Sequence, residues 1–294
     1  MSIQQFIPPV LLTIKKRLER KFRKTHSIGD LSFAITSNHL LPEYQRDNKL
    51  YDRFLPVLAQ FITAGQTIID VGANIGDTAI MLRSTSQAQL LCVEPSDLYF
   101  PLLEKNIAQL PVGRKENIRC VKALVSRNEV KGTLKHINGT ATIVEGSDTP
   151  NYVVTSLDTL AQDTHNLALI KVDTDGYDYD VLLSGKETLK TQQPILYWEN
   201  QIDNEDQQKG YEQLYQLLEE NNYKYLYIFD NYGNLMVEKA SFQTLKSINA
   251  YIRSMELYNC TRTMYYTDIL GVTEEKHALV EQVIAAYKKE WIYT

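Results

Sequence analysis

Residues 68–83 (IIDVGANIGDTAIMLR) join an apolar run, a turn with two glycines and the start of a helical pattern. The apolar run predicts a buried strand, and Gly72 and Gly76 allow the backbone to turn tightly beside a ligand. The helix that follows would direct its free N–H groups to the same place. A strand, a glycine turn and a helix in this order are typical of a parallel α/β sheet, which binds ligands at the carboxyl ends of its strands.

Strands and helices continue to alternate along the chain, which predicts one α/β domain over residues 67–294. Further predicted strands are QLLCVEP, NIRCVKALVS, LALIKVDTDG and QQPILYWEN, with helical patterns between them. Turn residues and short β-prone runs interrupt this rhythm at residues 127–157 and predict an inserted β-hairpin. Two more β-prone runs, YKYLYIFD and RTMYYTDILGV, come late in the chain.

Residues 1–66 are predicted to form a mainly helical segment ahead of this domain. Residues 1–30 carry seven Lys or Arg against two acids, and their apolar stretch precedes the basic one, the reverse of a secretory signal. This part could contact an anionic membrane surface or a partner protein, or it could be a solvated helix packed on the body of the protein. Residues 38–54 could fold over the ligand as a lid.

Composition narrows the class of protein. The net charge of -5 argues against general nucleic-acid binding, which depends on neutralising phosphates. The three cysteines are widely separated and predict neither a disulfide framework nor a metal pair, so we expect a reducing, cytoplasmic location, with a peripheral membrane contact open through residues 1–30.

Two classes of ligand compete for the glycine turn. A dinucleotide site requires G-x-G-x-x-G, but Asn74 and Asp77 occupy its second and third glycine positions, and Asp77 would place a negative charge beside a pyrophosphate. S-adenosylmethionine has no phosphate, and carboxylates and amides suit its ammonium and sulfonium groups. Glu94, 22 residues after Gly72, has the spacing of an acid that binds ribose hydroxyls, although it could be only a surface carboxylate at a strand end. The turn therefore favours S-adenosylmethionine.

Five motifs, DVGANIGDTA, VEPSDLYFPLLEKN, SLDTL, IKVDTDGYDYDVLLSG and PILYWEN, resemble in order and spacing the FkbM family of S-adenosylmethionine-dependent methyltransferases. The resemblance covers roughly residues 40–200. It implies a Rossmann-like, seven-stranded methyltransferase sheet whose last strand is antiparallel. It also implies methyl transfer, usually to a hydroxyl oxygen, on sugars in glycans and on small natural products.

The same resemblance implies which residues bind the cofactor. Those that would line its methionine part are Asp70, Gly72, Asn74, Gly76 and Asp77. Those that would bind the ribose and shape its pocket are Glu94, Pro95 and Ser96, and those near the adenine are Ala123 and Leu124.

Carboxyl groups at the ends of two predicted strands are the candidates for catalysis. Methyl transfer to a hydroxyl requires alignment and removal of a proton, and the strands end with Asp173 and with Glu199 and Asn200. One carboxylate would act as the general base while the other orients it. Alternatively, Asp173, Glu199 and Asn200 could share Mg²⁺, which would lower the pKa of the substrate hydroxyl. Asp173 and Asp175 could also simply cap the helix that begins near Tyr177.

The chain contains 19 tyrosines, and those at strand ends would offer a sugar ring a flat face and a hydroxyl. We therefore predict an O-methyltransferase that acts on a hydroxyl of a sugar, a glycan or a glycosylated natural product. Two alternatives stay open: an O-methyltransferase of natural products without sugar, and a non-catalytic cofactor-binding module in a glycan-assembly complex. A nicotinamide-dependent oxidoreductase is disfavoured by Asn74 and Asp77.

Overall fold

The computed structural model describes residues 24–36, 39–130, 132–137, 140–144 and 152–292. Its strands, in chain order, are β1 (Thr25–Ile28), β2 (Leu31–Ala34), β3 (Thr67–Val71), β4 (Gln89–Val93), β5 (Ile118–Val121), β6 (Leu124–Val125), β7 (Thr133–Ile137), β8 (Thr140–Val144), β9 (Val154–Thr155), β10 (Leu167–Val172), β11 (Ile195–Asn200), β12 (Tyr223–Asp230), β13 (Leu235–Ala240) and β14 (Thr267–Thr273).

Eight of these strands form the central sheet, in the order β13–β12–β14–β11–β10–β3–β4–β5. Neighbours from β11 through β10, β3 and β4 to β5 are parallel, whereas β14 is antiparallel to both β11 and β12. The winding of the chain reverses between β3 and β10, which is where sheets of this kind bind ligands. The predicted α/β fold, with a mostly parallel sheet and an antiparallel last strand, is confirmed.

The sheet has one more strand than the seven predicted. The extra strand is β13, which pairs antiparallel with β12 at the edge. The Asp230 carboxylate accepts hydrogen bonds from the backbone N–H groups of Tyr232 and Asn234, both at 2.9 Å, and so stabilises the tight turn that brings β13 back. Within the region where an inserted hairpin is predicted, β7 and β8 pair antiparallel.

Helices cover both faces of the sheet. They are α1 (Leu41–Asp47), α2 (Phe54–Ala59), α3 (Asp77–Thr85), α4 (Phe100–Ala108), α5 (Leu157–Ala161), α6 (Asp178–Leu183), α7 (Lys186–Thr191), α8 (Glu205–Glu220), α9 (Phe242–Leu257) and α10 (Glu274–Tyr287), followed by a π-helix at Lys288–Ile292. Across the described ranges, no helix combines the length and the apolar character that a membrane span requires.

Two apolar cores follow from this layering. Buried residues of α2, α3, α4 and α10 pack on one face of the sheet, and those of α5 to α9 pack on the other. The central strand β10 is buried along its whole length, as its apolar run predicts. In α8, the buried side chains of Tyr211, Leu214, Tyr215 and Leu218 recur at helical spacing, and Asn204 and Gln207 form a capping box at its start.

The prediction that residues 1–66 are mainly helical is only partly right. Residues 41–47 and 54–59 are helical, but β1 and β2 form an antiparallel hairpin over residues 25–34. The buried Asn106 amide exchanges hydrogen bonds with the backbone of Ala34 at 2.8 and 2.9 Å, which holds this hairpin against α4. The basic segment within residues 1–23, proposed as a membrane or protein contact, lies outside the described residues.

Candidate active site

A cavity of about 1030 Å³ opens at the carboxyl ends of the parallel strands, where the winding of the sheet reverses. Residues at the ends of four adjoining strands line it: Gly72 after β3, Glu94 after β4, Asp173 after β10 and Glu199 in β11. The predicted ligand-binding and catalytic motifs therefore converge on one cavity.

The turn after β3 requires glycine at residue 72. Gly72 has a φ of 79°, and a Cβ atom there would overlap the backbone carbonyl oxygen of Asp173. The N–H groups of Gly72 and Ala73 both donate to the Val93 carbonyl oxygen at 3.0 Å. Asn74 follows with a φ of 47°. These contacts hold the turn close to β4 and β10 and leave its outer surface open to the cavity.

Glu94 is bound firmly to this turn. Its side chain is buried, at 4% exposure, and its two oxygens accept hydrogen bonds from the backbone N–H groups of Asn74 and Ser96, both at 2.9 Å. Burial raises the pKa of Glu94 to about 7, although the two N–H donors act to lower it. Each carboxylate oxygen keeps a further lone pair with which it can accept a ligand hydroxyl.

Lys171 is a buried cation beneath the site. Its ammonium nitrogen lies 3.1 Å from Asp70 and 3.4 Å from Asp173 and donates to the Gly72 carbonyl oxygen at 3.4 Å. Burial by itself favours the neutral amine, but the two carboxylates outweigh it and raise the pKa of Lys171, so the side chain stays charged. The ammonium group ties the turn after β3 to the end of β10.

Most of the predicted cofactor-binding residues line the cavity, but three do not. Those that do are Gly72, Asn74, Asp77, Glu94, Pro95, Ala123 and Leu124. Asp70 lies beneath the turn, beside Lys171. Gly76 makes its closest approach to Leu103 of α4, and the Ser96 hydroxyl accepts from the N–H of Tyr99 at 3.1 Å. These three residues support the site from behind.

A second group of acids lies on the other side of Asp173. Glu199 pairs with Asp268 across β11 and β14, and both residues line the cavity. The Glu199 side chain is only 8% exposed, and its Oε1 has no hydrogen-bond partner. Burial and the carboxyl groups of Asp173 and Asp178 raise the pKa of Glu199 well above its usual range. Burial and the carboxyl groups of Asp173 and Asp52 also raise the pKa of Asp268 well above its usual range.

Of the three predicted metal ligands, Asp173 and Glu199 line the cavity, but the placement of Asn200 in this set is wrong. Its amide donates to Asn249 at 2.8 Å and accepts from the Tyr215 hydroxyl at 2.5 Å, so it is directed away from the cavity. The physical reason is that neighbouring residues in a strand point to opposite faces, and Glu199 occupies the cavity face. Among the described residues, no group of three His, Cys, Asp or Glu side chains could hold a metal ion.

Residues from the segment ahead of the sheet also line the cavity. They are His39, Leu40, Leu41, Tyr44, Leu50, Tyr51, Asp52, Phe54 and Leu55. Gly233, in the turn after β12, lies against the backbone of Leu50 in this segment. A Cβ atom at residue 233 would overlap the carbonyl oxygen of Leu50. Arg53, which belongs to the segment 38–54 predicted as a lid, has its guanidinium carbon 5.2 Å from the centre of the Trp291 ring.

The predicted site omits Asp52, Asp268 and Tyr266, which also line the cavity. A signal for Asp268 comes from the family resemblance and not from a pattern in its own segment. The last strand is expected to be antiparallel, and such a strand begins at the edge where its parallel neighbours end. Asp268 is the second residue of β14 and therefore reaches the cavity. Asp52 lies in a loop with a φ of 60° and carries no comparable signal.

The model of the methyltransferase FkbM domain matches residues 70–225, which include the glycine turn, Glu94, Asp173 and Glu199. The chain belongs to the FkbM methyltransferase family. It is therefore an S-adenosylmethionine-dependent methyltransferase, and the resemblance found in its motifs is confirmed. No curated protein matches the chain.

Several solved structures are similar to this FkbM methyltransferase at low identity. Cofactor-bound Rv0187 from MTB has 11% identity and a TM-score of 0.43, covering 92% of this chain and 93% of its own. The O-methyltransferase from Bacillus cereus, in complex with SAH, has 12% identity and a TM-score of 0.41, covering 92% and 94%. Methyltransferase FkbM from Methylobacillus flagellatus KT has 12% identity and a TM-score of 0.35, covering 55% and 48%.

Proposed function

We propose that this FkbM methyltransferase transfers the methyl group of S-adenosylmethionine to a hydroxyl oxygen of a sugar or glycan. The observation that carries the proposal is the arrangement of one cavity with two chemically different ends. The glycine turn after β3 and Glu94 after β4 form one end, Glu199 on β11 forms the other, and Asp173 after β10 lies between them. Pockets for small molecules have volumes of about 300–1,000 Å³, so a cavity of about 1030 Å³ has room for a cofactor and an acceptor side by side.

The residues at the first end fit S-adenosylmethionine. Glu94 is fixed by two backbone N–H donors and would accept hydrogen bonds from the ribose hydroxyls. Asn74 and Asp77 would contact the methionine part, and Ala123 and Leu124 would lie beside the adenine. The bound cofactor would supply an electrophilic methyl group.

Asp173 is our candidate for the general base. Its side chain is 50% exposed and lines the cavity, and Lys171 holds its carboxylate at 3.4 Å from below. The carboxylate would accept the proton of the acceptor hydroxyl as the oxygen becomes a nucleophile. Glu199, buried and fixed in β11, would orient the acceptor by hydrogen bonding.

Tyrosines around this end support a saccharide acceptor. Tyr44, Tyr51, Tyr197 and Tyr266 all line the cavity. An aromatic ring offers a sugar an apolar face, and the phenolic hydroxyl offers a hydrogen-bonding group beside it.

Calorimetry with S-adenosylhomocysteine tests the cofactor part of the proposal. We expect the wild-type protein to bind it and Glu94→Ala to lose most of that affinity, because the ribose hydroxyls lose their acceptor. Glu104→Ala is the matched control, because Glu104 is an exposed acid on the neighbouring helix α4. Binding of NAD in place of S-adenosylhomocysteine would overturn the proposal.

Transfer of a labelled methyl group to a panel of mono- and oligosaccharides tests the chemistry. We expect Asp173→Asn to lower the transfer rate about 100-fold or more, in the range typical of a lost general base, while S-adenosylhomocysteine still binds. Asp163→Asn, at an exposed residue, should retain the wild-type rate. Methylation of phenols or other aglycones but of no sugar would favour the natural-product alternative. An unchanged rate in Asp173→Asn would refute the role of Asp173.

A further inference from the structure

The cavity carries a large excess of carboxyl groups. Its acidic lining residues are Asp52, Asp77, Glu94, Glu129, Asp173, Asp175, Asp180, Glu199 and Asp268. Apart from His39, the basic residues that line it in the described part of the chain are Lys171 and Arg127. Both already have carboxylate partners: Lys171 is paired with Asp70 and Asp173, and Arg127 with Asp180 at 2.6 Å. In these ion pairs, neither Lys171 nor Arg127 is bound to Glu199 or Asp268.

Glu199 and Asp268 form the part of this lining that most needs a positive charge. They are directly opposite each other on β11 and β14. Like charges on facing residues of two strands repel each other, and burial adds to the cost. Glu199 is more than nine-tenths buried, lines the cavity and has an oxygen, Oε1, without a hydrogen-bond partner. A buried acceptor of this kind needs a donor, and the cavity is where one can enter.

The ammonium group of the cofactor is not suited to this role. The methionine part is assigned to the turn after β3, whereas Glu199 is on β11, two strands further along the sheet. Neighbouring strands are about 4.8 Å apart, so the two places are roughly 10 Å apart. Glu199 and Asp268 therefore belong to the acceptor end of the cavity.

We propose that the acceptor carries a protonated amino group, held between Glu199 and Asp268, close to the hydroxyl that is methylated. This inference rests on the proposed function and narrows its substrate class to amino sugars with a free amine. An ammonium group would donate to the unpaired Oε1 of Glu199 and neutralise the facing carboxyl groups. The ring of Tyr266, which also lines the cavity, would attract a cation on its face. Phosphorylated, nucleotide-linked and uronic sugars would be repelled by the same lining.

Binding of three matched monosaccharides to the complex with S-adenosylhomocysteine tests this inference. The probes are glucosamine, glucose and glucuronate, which differ mainly in charge, and their dissociation constants are measured by ligand-observed NMR titration. We expect glucosamine to bind about tenfold or more tightly than glucose, since a hydrogen bond to a charged group typically contributes that much. Glucuronate should bind least.

Two isosteric variants locate the effect. Glu199→Gln and Asp268→Asn each remove one carboxylate and should weaken glucosamine binding by a larger factor than glucose binding, so that the preference for glucosamine falls. Asp206→Asn is the matched control, because Asp206 is an exposed acid at the start of α8, outside the cavity. Thermal unfolding of each variant checks that it is folded, and the two single variants are independent tests of the same amine site.

The outcomes distinguish this inference from the proposed function. If S-adenosylhomocysteine does not bind, the proposed function fails first. If it binds, three results overturn the amine site alone: equal affinities for glucosamine and glucose, tighter binding of glucuronate, or no detectable binding of glucosamine. A preference for glucosamine that survives both variants would also overturn the assignment to Glu199 and Asp268.

Discussion

At Gly72 the backbone has a φ of 79° and passes against the carbonyl oxygen of Asp173. Two separate requirements therefore select glycine here: the left-handed conformation and the absence of a Cβ atom. Gly113 has a φ of 89°, but a Cβ atom added there would meet no other atom within 4 Å, so this residue has only the first requirement. The two glycines form a natural pair for comparison.

We expect Gly72→Ala to lower the free energy of unfolding by about 3 kcal/mol or more, because steric overlap adds to the conformational cost. Gly113→Ala should lower the free energy of unfolding by only about 1–2 kcal/mol, which is the cost of the left-handed conformation for a residue with a Cβ atom. Urea unfolding of both variants measures the difference. If both variants lost the same free energy of unfolding, the turn at residue 72 would be able to move away from β10. The contact between Gly72 and Asp173 would then not be the reason for glycine at this residue.

If Glu94 binds the ribose as we propose, cofactor binding should depend on pH. Its pKa is about 7, and its ionised form is the better acceptor for the two ribose hydroxyls. The affinity for S-adenosylhomocysteine should therefore rise with pH and level off above the pKa. At about pH 6 it should be roughly tenfold weaker than at the plateau, as one pKa unit predicts.

Calorimetry across this pH range measures that dependence, and Glu94→Gln isolates the part due to Glu94. Burial also raises the pKa of Asp52 and Asp175 to about 7. Because these groups titrate in the same range, the affinity of Glu94→Gln should still depend on pH, but less steeply than that of the wild type. A profile that is the same in the wild type and in Glu94→Gln would contradict the assignment of Glu94 to the ribose.

Among the elements, the ends of β10 and β11 are joined by one carboxyl group, that of Asp178 at the start of α6. One of its oxygens accepts from the N–H and hydroxyl of Thr174, at 3.1 and 2.9 Å, and the other accepts from the N–H of Glu199 at 3.1 Å. Asp178 is fully buried. It thus fixes the loop that carries Asp173 and Asp175 relative to the strand that carries Glu199.

Asp178→Ala should destabilise the protein by about 3 kcal/mol or more, because the buried N–H of Glu199 and the two partly buried donors of Thr174 lose their acceptor. Asp178→Asn keeps one carbonyl acceptor and the shape of the side chain, so we expect a smaller loss. Urea unfolding ranks the two variants. If Asn were as harmful as Ala, the negative charge and not the hydrogen-bond geometry would be the important property of this residue.

The whole molecule should be most stable at mildly acidic pH. Seven buried or cavity-lining carboxyl groups have a raised pKa: Asp52, Glu94, Asp175 and Asp178 at about 7, Glu199 and Asp268 well above their usual range, and Asp70, whose pKa is raised by burial. Between about pH 4 and pH 7 the folded state binds more protons than the unfolded state, so stability falls as pH rises. Exposed ion pairs contribute little to this balance.

Urea unfolding at about pH 5.5, 6.5 and 7.5 should show a free energy of unfolding that falls steadily as pH rises. In Glu199→Gln this fall with pH should be less steep. A cationic acceptor would offset part of the loss, because it favours the ionised carboxylates in the folded state. Stability that rises over this range would show that the carboxyl groups are already ionised in the folded protein.

The sequence by itself determined the βα units and the cofactor end of the cavity. Their signals are local: an apolar run for β10, a glycine turn between β3 and α3, and an acid at fixed spacing in Glu94. Period-2 alternation is a local signal as well, and it excludes Asn200 as a partner of Glu199 in one site.

Only the tertiary structure brought Asp268 and Asp52 to Asp173 and Glu199 at the acceptor end. Asp268 reaches the cavity because β14 inserts antiparallel between β11 and β12. Asp52 reaches it because the turn at Gly233 holds the backbone of Leu50. Residues 25–34 pair as strands and pack on α4, although the pattern of this segment predicts mainly helix. In each case the deciding contacts join residues far apart in the chain, and no pattern within a single segment encodes such a contact.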